Sequence, residues 1–566
     1  MYDNTLLFTK NYFNKNNLIF MRKNIINLML IAVVSVAMAS CGNPSKMIEA
    51  ADQVKINCNP EVLEVIAGNI DAVVDVTFPA EYFHPKAILE VIPVLVYSGG
   101  EVEGKPFVYQ GEKITDNYKL VTEDGATISE RVHFKYVPGM EKSQLVARAT
   151  VLYQGKEFPF PADIKIADGA NTTYMLVETE GAYEMMKDEY MEVIPETEEA
   201  QILYLVNSAT VRPSQLRSED IKNFEQALKD LAQDERREVK GTKIVAYASP
   251  EGAVDFNNRL SANREKSAER AFNRFARKLE TGAVSTKSLG EDWEGFQELV
   301  KNSNIEDKEL ILRVLSMYSD SNVREREIRN MSQVYKILAE TILPELRRAR
   351  FITDIEYTNY SADELKELVE TNIDVLDEEA LLRAATLVRD NNAKLDIYDR
   401  AIRKFDSDRA KYNAACINLN LMKNSAAKSL LEKMNKKNCY YKNAMGVLAM
   451  REGKNAEAMK WFEESHRPQA KINAAVIDIL EGRYKEALAK LEGTGDHNEP
   501  LAHILNGQPE KAVVKRKCPH ASYLKAVIAA RKGDAETCKK ELENAAKRED
   551  YAKRMLTDIE FAKILK

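Results

Sequence analysis

The sequence of 566 residues contains few of the residues that build catalytic and metal sites. It has six histidines, two tryptophans and six cysteines, and no two cysteines form a Cys-x-x-Cys pair. It lacks the Gly-x-Ser-x-Gly motif of serine hydrolases and the His-Glu-x-x-His motif of zinc peptidases. One local cluster, His497, His503, Cys518 and His520, has a spacing that matches no zinc pattern. The sequence therefore predicts a non-catalytic protein without a cofactor or a metal site.

Charge of one sign is not concentrated in any part of the chain. Lysine and arginine number 81 against 88 aspartates and glutamates, which gives a net charge of −7. Proteins that bind nucleic acids carry a clustered basic face, so no nucleic-acid partner is predicted. Five widely spaced cysteines follow residue 41, and this odd number permits one disulfide but implies no disulfide framework.

The N-terminal region carries the longest apolar run of the chain. The run starts at Ile25, follows the basic pair Arg22-Lys23 and ends in Met38-Ala39-Ser40-Cys41. It is too short to span a bilayer comfortably and indicates a secretory signal. We predict Met21 as the initiator, a signal peptide over residues 1–40 and a tether over residues 41–60.

The end of this signal resembles the lipobox of bacterial lipoproteins, in which the cysteine is acylated and becomes the first residue of the mature chain. The resemblance implies that Cys41 carries a lipid and anchors the protein in the outer membrane. The residues after Cys41 lack an acidic export tract, so we expect the protein to face the periplasm. An ordinary signal peptide with an incidental cysteine remains the alternative.

Residues 61–180 have the pattern of short strands. Ala72, Val74, Val76 and Phe78 alternate with mostly polar residues, and Gln154-Gly155 lies between apolar runs as a hairpin turn would. Pro93, inside the apolar run over residues 88–97, indicates an edge strand or a bulge. We predict an all-β, antiparallel sandwich, for which an immunoglobulin-like arrangement is one possibility.

Residues 200–358 alternate strand and helix patterns in the order β-α-β-α and then β, which predicts an α+β layer. After one strand, Asn257, Leu260, Ser261 and Arg264 lie at offsets 0, 3, 4 and 7 and share one helix face. Together with Gly252 they match the Asn-x-x-Leu-Ser-x-x-Arg pattern of the OmpA-like peptidoglycan-binding domain. The resemblance implies that Arg264 pairs with the diaminopimelate carboxylate of the peptidoglycan stem peptide.

The chain departs from that family at the turn before the helix. The family aspartate that takes the ligand ammonium is replaced by Ser249, whose hydroxyl supplies no charge. Glu251 is the candidate for the missing carboxylate. The predicted peptidoglycan-binding residues are therefore Arg264, Asn257, Ser249 and Glu251, and an internal ion pair of Arg264 is the structural alternative.

Residues 361–566 predict an all-α helical-repeat solenoid. Asn-Ala pairs recur at residues 413, 443 and 473, at intervals of 30. Four glycines are each followed, five residues later, by a small side chain: Gly453 by Ala458, Gly482 by Ala487, Gly507 by Ala512 and Gly533 by Cys538. A glycine turn followed by a small residue suits a stacked helix pair, and the pattern resembles degenerate tetratricopeptide repeats. An unrepeated helical bundle is the alternative.

Two functions fit this multi-domain order. The first is a non-catalytic outer-membrane lipoprotein that links the membrane to peptidoglycan and binds an unidentified protein partner through its repeats. The second is an assembly or scaffold factor of a fimbrial or secretion machine, in which the OmpA-like domain binds protein rather than cell wall. Ser249 in place of the family aspartate favours the second.

Overall fold

The computed structural model describes residues 45–565. The predicted signal peptide, the lipidation residue Cys41 and the start of the predicted tether lie outside this range. The described residues form two compact units: the first combines residues 45–183 with residues 442–565, and the second runs from Glu184 to Tyr441. The helical repeats are therefore divided between the two units, whereas the sequence predicted a single repeat domain after residue 361.

The strands of residues 45–565 are β1 (Lys55–Asn59), β2 (Val62–Ile66), β3 (Asn69–Phe78), β4 (Ile88–Tyr97), β5 (Gly100–Glu103), β6 (Phe107–Gly111), β7 (Lys119–Val121), β8 (Ala126–Lys135), β9 (Ser143–Tyr153), β10 (Lys156–Pro159), β11 (Ile164–Asn171), β12 (Val193–Leu203), β13 (Arg237–Ala248), β14 (Ala283–Glu291) and β15 (Arg348–Thr358).

The α-helices of the same range are α1 (Ser45–Glu49), α2 (Glu219–Leu231), α3 (Val254–Phe275), α4 (Trp293–Asn302), α5 (Lys308–Met317), α6 (Ser321–Asn330), α7 (Ser332–Thr341), α8 (Leu343–Leu346), α9 (Ala362–Thr371), α10 (Glu378–Leu387), α11 (Asn391–Phe405), α12 (Asp408–Asn420), α13 (Asn424–Glu432), α14 (Cys439–Arg451), α15 (Asn455–Ser465), α16 (Pro468–Leu480), α17 (Tyr484–Leu491), α18 (Glu499–Leu505), α19 (Pro519–Lys532), α20 (Ala535–Ala545) and α21 (Glu549–Arg554). None of these helices is long and apolar enough to cross a membrane.

The N-terminal part of the first unit is rich in β-structure, as the sequence predicted. Strands β1 and β8 pair with β3, β9 lies between β4 and β11, and β2 pairs with both β3 and β11. Phe78 of β3 shares a buried apolar cluster with Leu89 of β4, Tyr109 of β6 and Val151 of β9. Strand β3, which belongs to the set β1-β3-β8, and strands β4, β6 and β9 thus enclose this cluster, because their alternating apolar side chains face each other.

Three details of this region differ from the sequence prediction. Two strand pairs, β2 with β11 and β6 with β7, are parallel, so the region is not purely antiparallel. Strand β1 lies within residues 41–60, so part of the predicted tether is folded. Pro93 lies in a central strand, between the part of β4 that pairs with β6 and the part that pairs with β5. Its missing N–H is tolerated at this gap, and its carbonyl accepts from the Gly104 amide at 2.7 Å.

The helical hairpins of the first unit confirm most of the predicted repeat pattern. Gly453, Gly482 and Gly533 end the first helix of a hairpin with φ of +74°, +78° and +77°, a left-handed conformation that glycine adopts without strain. The small residues five positions later, Ala458, Ala487 and Cys538, are fully buried. Each allows the second helix to pack closely on its neighbours.

The copy that starts at Gly507 is an exception. No helix follows this glycine until α19, and Ala512 lies in an irregular segment. Two consecutive β-branched residues, Val513 and Val514, lower the helix propensity, and Pro519 disfavours helical geometry in the residue before it. The predicted second helix is therefore wrong at this repeat.

The β-rich region and the hairpins of the first unit share one hydrophobic core. Leu63 and Ile70 of the strands belong to the same buried cluster as Ala475, Tyr523 and Leu524 of the helices. A cluster that contains residues from both parts makes them one folding unit, since removing either would expose the apolar surface of the other.

The second unit contains a four-stranded sheet in the order β12-β15-β13-β14. Strand β15 is antiparallel to β12 and β13, and β13 is parallel to β14 with α3 as the crossover. Ile221 and Phe224 of α2 and Phe272 of α3 pack with Ile244 and Phe351 of the sheet. The predicted α+β layer is present, but its topology alone does not establish the OmpA-like family.

No disulfide joins the cysteines of residues 45–565, which are Cys58, Cys416, Cys439, Cys518 and Cys538. Helices α9 to α13 complete the second unit, and their core contains Leu381, Ile397, Tyr398 and Ile417.

Candidate functional site

The turn between β13 and α3 brings the predicted peptidoglycan-binding residues together. Ser249 and Glu251 lie in the turn, and Asn257 and Arg264 lie on the buried side of α3. The Asn257 amide donates to the carbonyls of Ser249 and Gly252 at 3.3 and 3.1 Å. It also donates to the Glu291 carboxylate at 2.9 Å, so this side chain holds the turn in place.

Arg264 is only 1% exposed, and backbone carbonyls occupy its guanidinium. Its Nε donates to Ser208 O at 2.9 Å, and its two terminal nitrogens donate to Tyr247 O at 2.8 Å and Leu205 O at 3.2 Å. The guanidinium also lies 5.0 Å from the centre of the Tyr204 ring. Burial lowers the pKa of Arg264 to about 10, which leaves it protonated at neutral pH. The side chain therefore fixes the loop that contains Leu205 and Ser208 to the end of β13.

Glu251 is also bound internally. Its carboxylate pairs with the Arg347 guanidinium at 2.8 Å and accepts from the Ser249 hydroxyl at 2.5 Å. Burial alone would raise the pKa of Glu251, but the Arg347 and Ser249 hydrogen bonds hold it below its usual value. Arg264 thus donates to backbone carbonyls and does not form the internal ion pair that was the structural alternative. Each predicted binding residue already has partners within the chain, and binding of a stem peptide stays a prediction.

A second arrangement, which the sequence reading did not identify as a site, lies on the helical repeats of the first unit. We call Asn443, Asn473 and Asn498 the asparagine row. Asn443 lies in α14, Asn473 lies in α16, and Asn498 directly precedes α18. Asn498 accepts from the Glu178 amide at 2.8 Å and donates to the Glu178 carbonyl at 3.0 Å. Residues 177–192 have no helix or strand, so the row binds irregular main chain.

Asn473 makes the same pair of bonds four residues further along the segment. It accepts from the Ala182 amide at 2.6 Å and donates to the Ala182 carbonyl at 2.8 Å. Asn443 donates to the same carbonyl at 3.0 Å and accepts from Asn473 at 3.0 Å. An asparagine amide carries one acceptor and one donor group, as a peptide group does. We call the pair of bonds from one asparagine to the N–H and C=O of one residue a clamp, and each clamp takes the place of a neighbouring strand.

Side chains next to the row add further contacts to the segment, to a side chain at Glu178 and to main chain at Glu180. Arg516 pairs with the Glu178 carboxylate at 2.7 Å, and the Arg451 Nε donates to the Glu180 carbonyl at 3.0 Å. Gly181 has φ of +84°, and a Cβ there would lie 2.7 Å from Val447. Recognition is thus by backbone at residues 178, 180 and 182, by charge at Glu178 and by shape at Gly181.

The second unit contains a similar clamp. Asn413 accepts from the Met186 amide at 2.8 Å and donates to the Met186 carbonyl at 2.9 Å. The Glu189 amide donates to the Glu379 carboxylate at 2.7 Å. The Asn-Ala pairs at residues 413, 443 and 473 were the sequence signal for three of these asparagines, whereas Asn498 is followed by Glu499 and has no such signal. Periodicity alone predicts packing and does not reveal a bound segment.

Within residues 45–565 no cluster of three His, Cys, Asp or Glu side chains could hold a metal ion. No family model matches the chain, and no curated protein matches it. The OmpA-like assignment consequently rests on the motif residues alone.

Solved structures give weak likenesses. A tetratricopeptide repeat protein from Parabacteroides merdae is 14% identical and covers 35% of this chain and 91% of its own, with a TM-score of 0.28. YrrB, a TPR protein with an unusual peptide-binding site, is 17% identical and covers 36% and 100%, with a TM-score of 0.21. The APC/C hetero-tetramer Cut9-Hcn1 is 11% identical and covers 64% and 79%, with a TM-score of 0.29. Scores this low do not establish a common fold, so the repeats are defined by this chain's own hairpins.

Proposed function

We propose that this protein is a non-catalytic, lipid-anchored scaffold whose helical repeats bind polypeptide in an irregular, extended form. The observation that carries the proposal is the paired donor and acceptor bonding of Asn473 and Asn498 to main chain. Such clamps bind a backbone whatever its side chains, and a repeat array presents them at regular intervals. Protein–protein interaction through tetratricopeptide-like repeats is the role that this bonding favours.

Within this proposal the α+β layer is a positioning or protein-contact module of an assembly, such as a fimbrial or secretion machine. The engagement of Arg264 by three carbonyls supports this reading over cell-wall binding. A link between membrane and peptidoglycan is the second candidate, since Ser249, Glu251, Asn257 and Arg264 surround one turn, as the OmpA-like resemblance implies.

Sedimentation with purified murein sacculi separates the two functions. We expect the wild-type chain to stay in the supernatant, because Arg264, the arginine that the resemblance assigns to the diaminopimelate carboxylate, is buried and bonded to three carbonyls. An OmpA-like domain of known binding serves as the positive control. Co-sedimentation that free stem peptide competes away would contradict the scaffold reading and restore the wall link.

The membrane anchor of the proposal depends on Cys41, which the described residues do not include. We propose acylation of this thiol and an outer-membrane, periplasm-facing location; a multiply acylated chain is held by about 0.8 kcal/mol per buried CH₂. Labelled palmitate should enter the wild-type protein expressed in its host and should not enter a Cys41→Ser variant. Cys58→Ser is the matched control and should label fully. Equal labelling of the wild type and the Cys41→Ser variant would refute the anchor.

A further inference from the structure

In the first unit, the chain's own residues occupy the asparagine row. The main-chain N–H and C=O groups of Glu178 and of Ala182 bond to asparagine side chains rather than to a neighbouring strand. The asparagines at 443 and 473 are 1% and 0% exposed with this segment in place. A buried amide without a partner costs about 1–3 kcal/mol, so these side chains need a polypeptide against them.

The segment also fits the row by shape and charge. Gly181 is half-buried against the branched Val447 side chain, where a Cβ would be 2.7 and 2.8 Å from the two methyl carbons. Its positive φ would strain any other residue. Glu178, which lies three residues before this glycine, forms a salt bridge with Arg516. A plain linker needs neither a glycine at a close contact nor a charge pair, whereas a ligand recognised by sequence uses both.

We propose that the asparagine row is a peptide-binding site for an acidic segment with the pattern acid-x-x-Gly-small, and that residues 178–182 occupy it in cis. This inference rests on the proposed function and specifies both the ligand class and its regulation. A tethered segment competes at an effective concentration in the millimolar range. A partner segment of the same pattern therefore binds only when the cis segment has left the row.

The experiment uses the full chain and a fluorescent synthetic peptide of residues 177–183, measured by fluorescence anisotropy. A Gly181→Val variant of the chain keeps the row but expels its own segment by collision with Val447. We expect this variant to bind the peptide at least about 10-fold more tightly than the wild type, because cis competition is removed. Adding Asn473→Ala to the variant should abolish binding, and a peptide with valine at its glycine should not bind.

Thr179→Val is the matched control for the chain, since Thr179 is exposed in the same segment and should leave peptide binding as weak as in the wild type. Equal, tight binding by the wild type and the Gly181→Val variant would overturn occupancy in cis but leave the proposed function standing. Binding by neither chain would overturn both the peptide site and the proposed function.

Hydrogen exchange of the Ala182 amide provides a measurement that does not depend on the folding of the Gly181→Val variant. In the wild type this amide should exchange far more slowly than an unstructured one, since Asn473 accepts its proton. The Asn473→Ala variant should lose that protection while the strand amides of the same unit keep theirs. Fast exchange of Ala182 in the wild type would overturn the inference.

Discussion

An Arg264→Ala substitution should lower the free energy of unfolding of the second unit by about 3 kcal/mol or more. The change removes the donors to Ser208, Tyr247 and Leu205 and leaves their carbonyls without these bonds beside a new cavity. Each buried polar group that loses its partner costs about 1–3 kcal/mol, and the cavity adds to this. The loop that Arg264 holds would also lose its attachment to β13.

Urea unfolding followed by tryptophan fluorescence measures this effect for each unit separately. Trp293 lies in the second unit and Trp461 in the first, and the chain has no other tryptophan. In a Trp461→Phe background the signal reports the second unit alone. Arg259→Ala, on the exposed side of the same helix, is the matched control and should leave the transition unchanged. If Arg264→Ala also left it unchanged, the guanidinium would not be a structural group and the wall-binding reading would gain support.

A Glu560→Ala substitution should destabilise the first unit by about 3–5 kcal/mol, because it breaks a buried ion pair on one side only. The Glu560 carboxylate is 7% exposed and pairs with Arg531, which is itself mostly buried. It also accepts from Asn171 at 2.8 Å and from Thr173 at 2.7 Å, at the end of β11. Its loss leaves the Arg531 guanidinium without a counter-charge between the β-rich region and the helices.

Trp461 fluorescence in a Trp293→Phe background measures this second effect. Glu549→Ala breaks an exposed pair with Lys553 in the same unit and is the matched control, with no measurable change expected. Restoring the packing without the charge, by changing Glu560 to glutamine, should recover only part of the loss, since Arg531 would still lack a counter-charge. A Glu560→Ala variant as stable as the wild type would show that this joint does not hold the first unit together.

Local pattern predicted the elements well where a single turn or a single face decides them. The glycines at 453, 482 and 533 stand where the backbone must be left-handed, and Ala458 and Ala487 where two helices come close. Both requirements act within a few residues, so a short window of sequence contains the information. The repeat after Gly507 failed because two valines and a following proline outweighed the periodicity.

The candidate sites depended on partners far along the chain, and the sequence could not supply them. The OmpA-like motif identified Arg264 correctly as a residue on a shared helix face, but its partners include Leu205 and Ser208, 59 and 56 residues away. No spacing rule connects a guanidinium to carbonyls at that distance, because any backbone can offer a carbonyl. The same arginine therefore reads as a ligand-binding residue in the sequence and as an internal brace in the structure.

The sequence by itself determined most of the hairpin turns and the small residues between helices, since steric rules of the backbone and side chains set them locally. Tertiary structure alone decided which polar groups meet. Asn473 and Ala182 are 291 residues apart and are brought together only when the helices and the β-rich region fold onto one core. The identity of each residue fixes which hydrogen bonds it can make. The choice of partner follows from packing, which is a property of the whole unit.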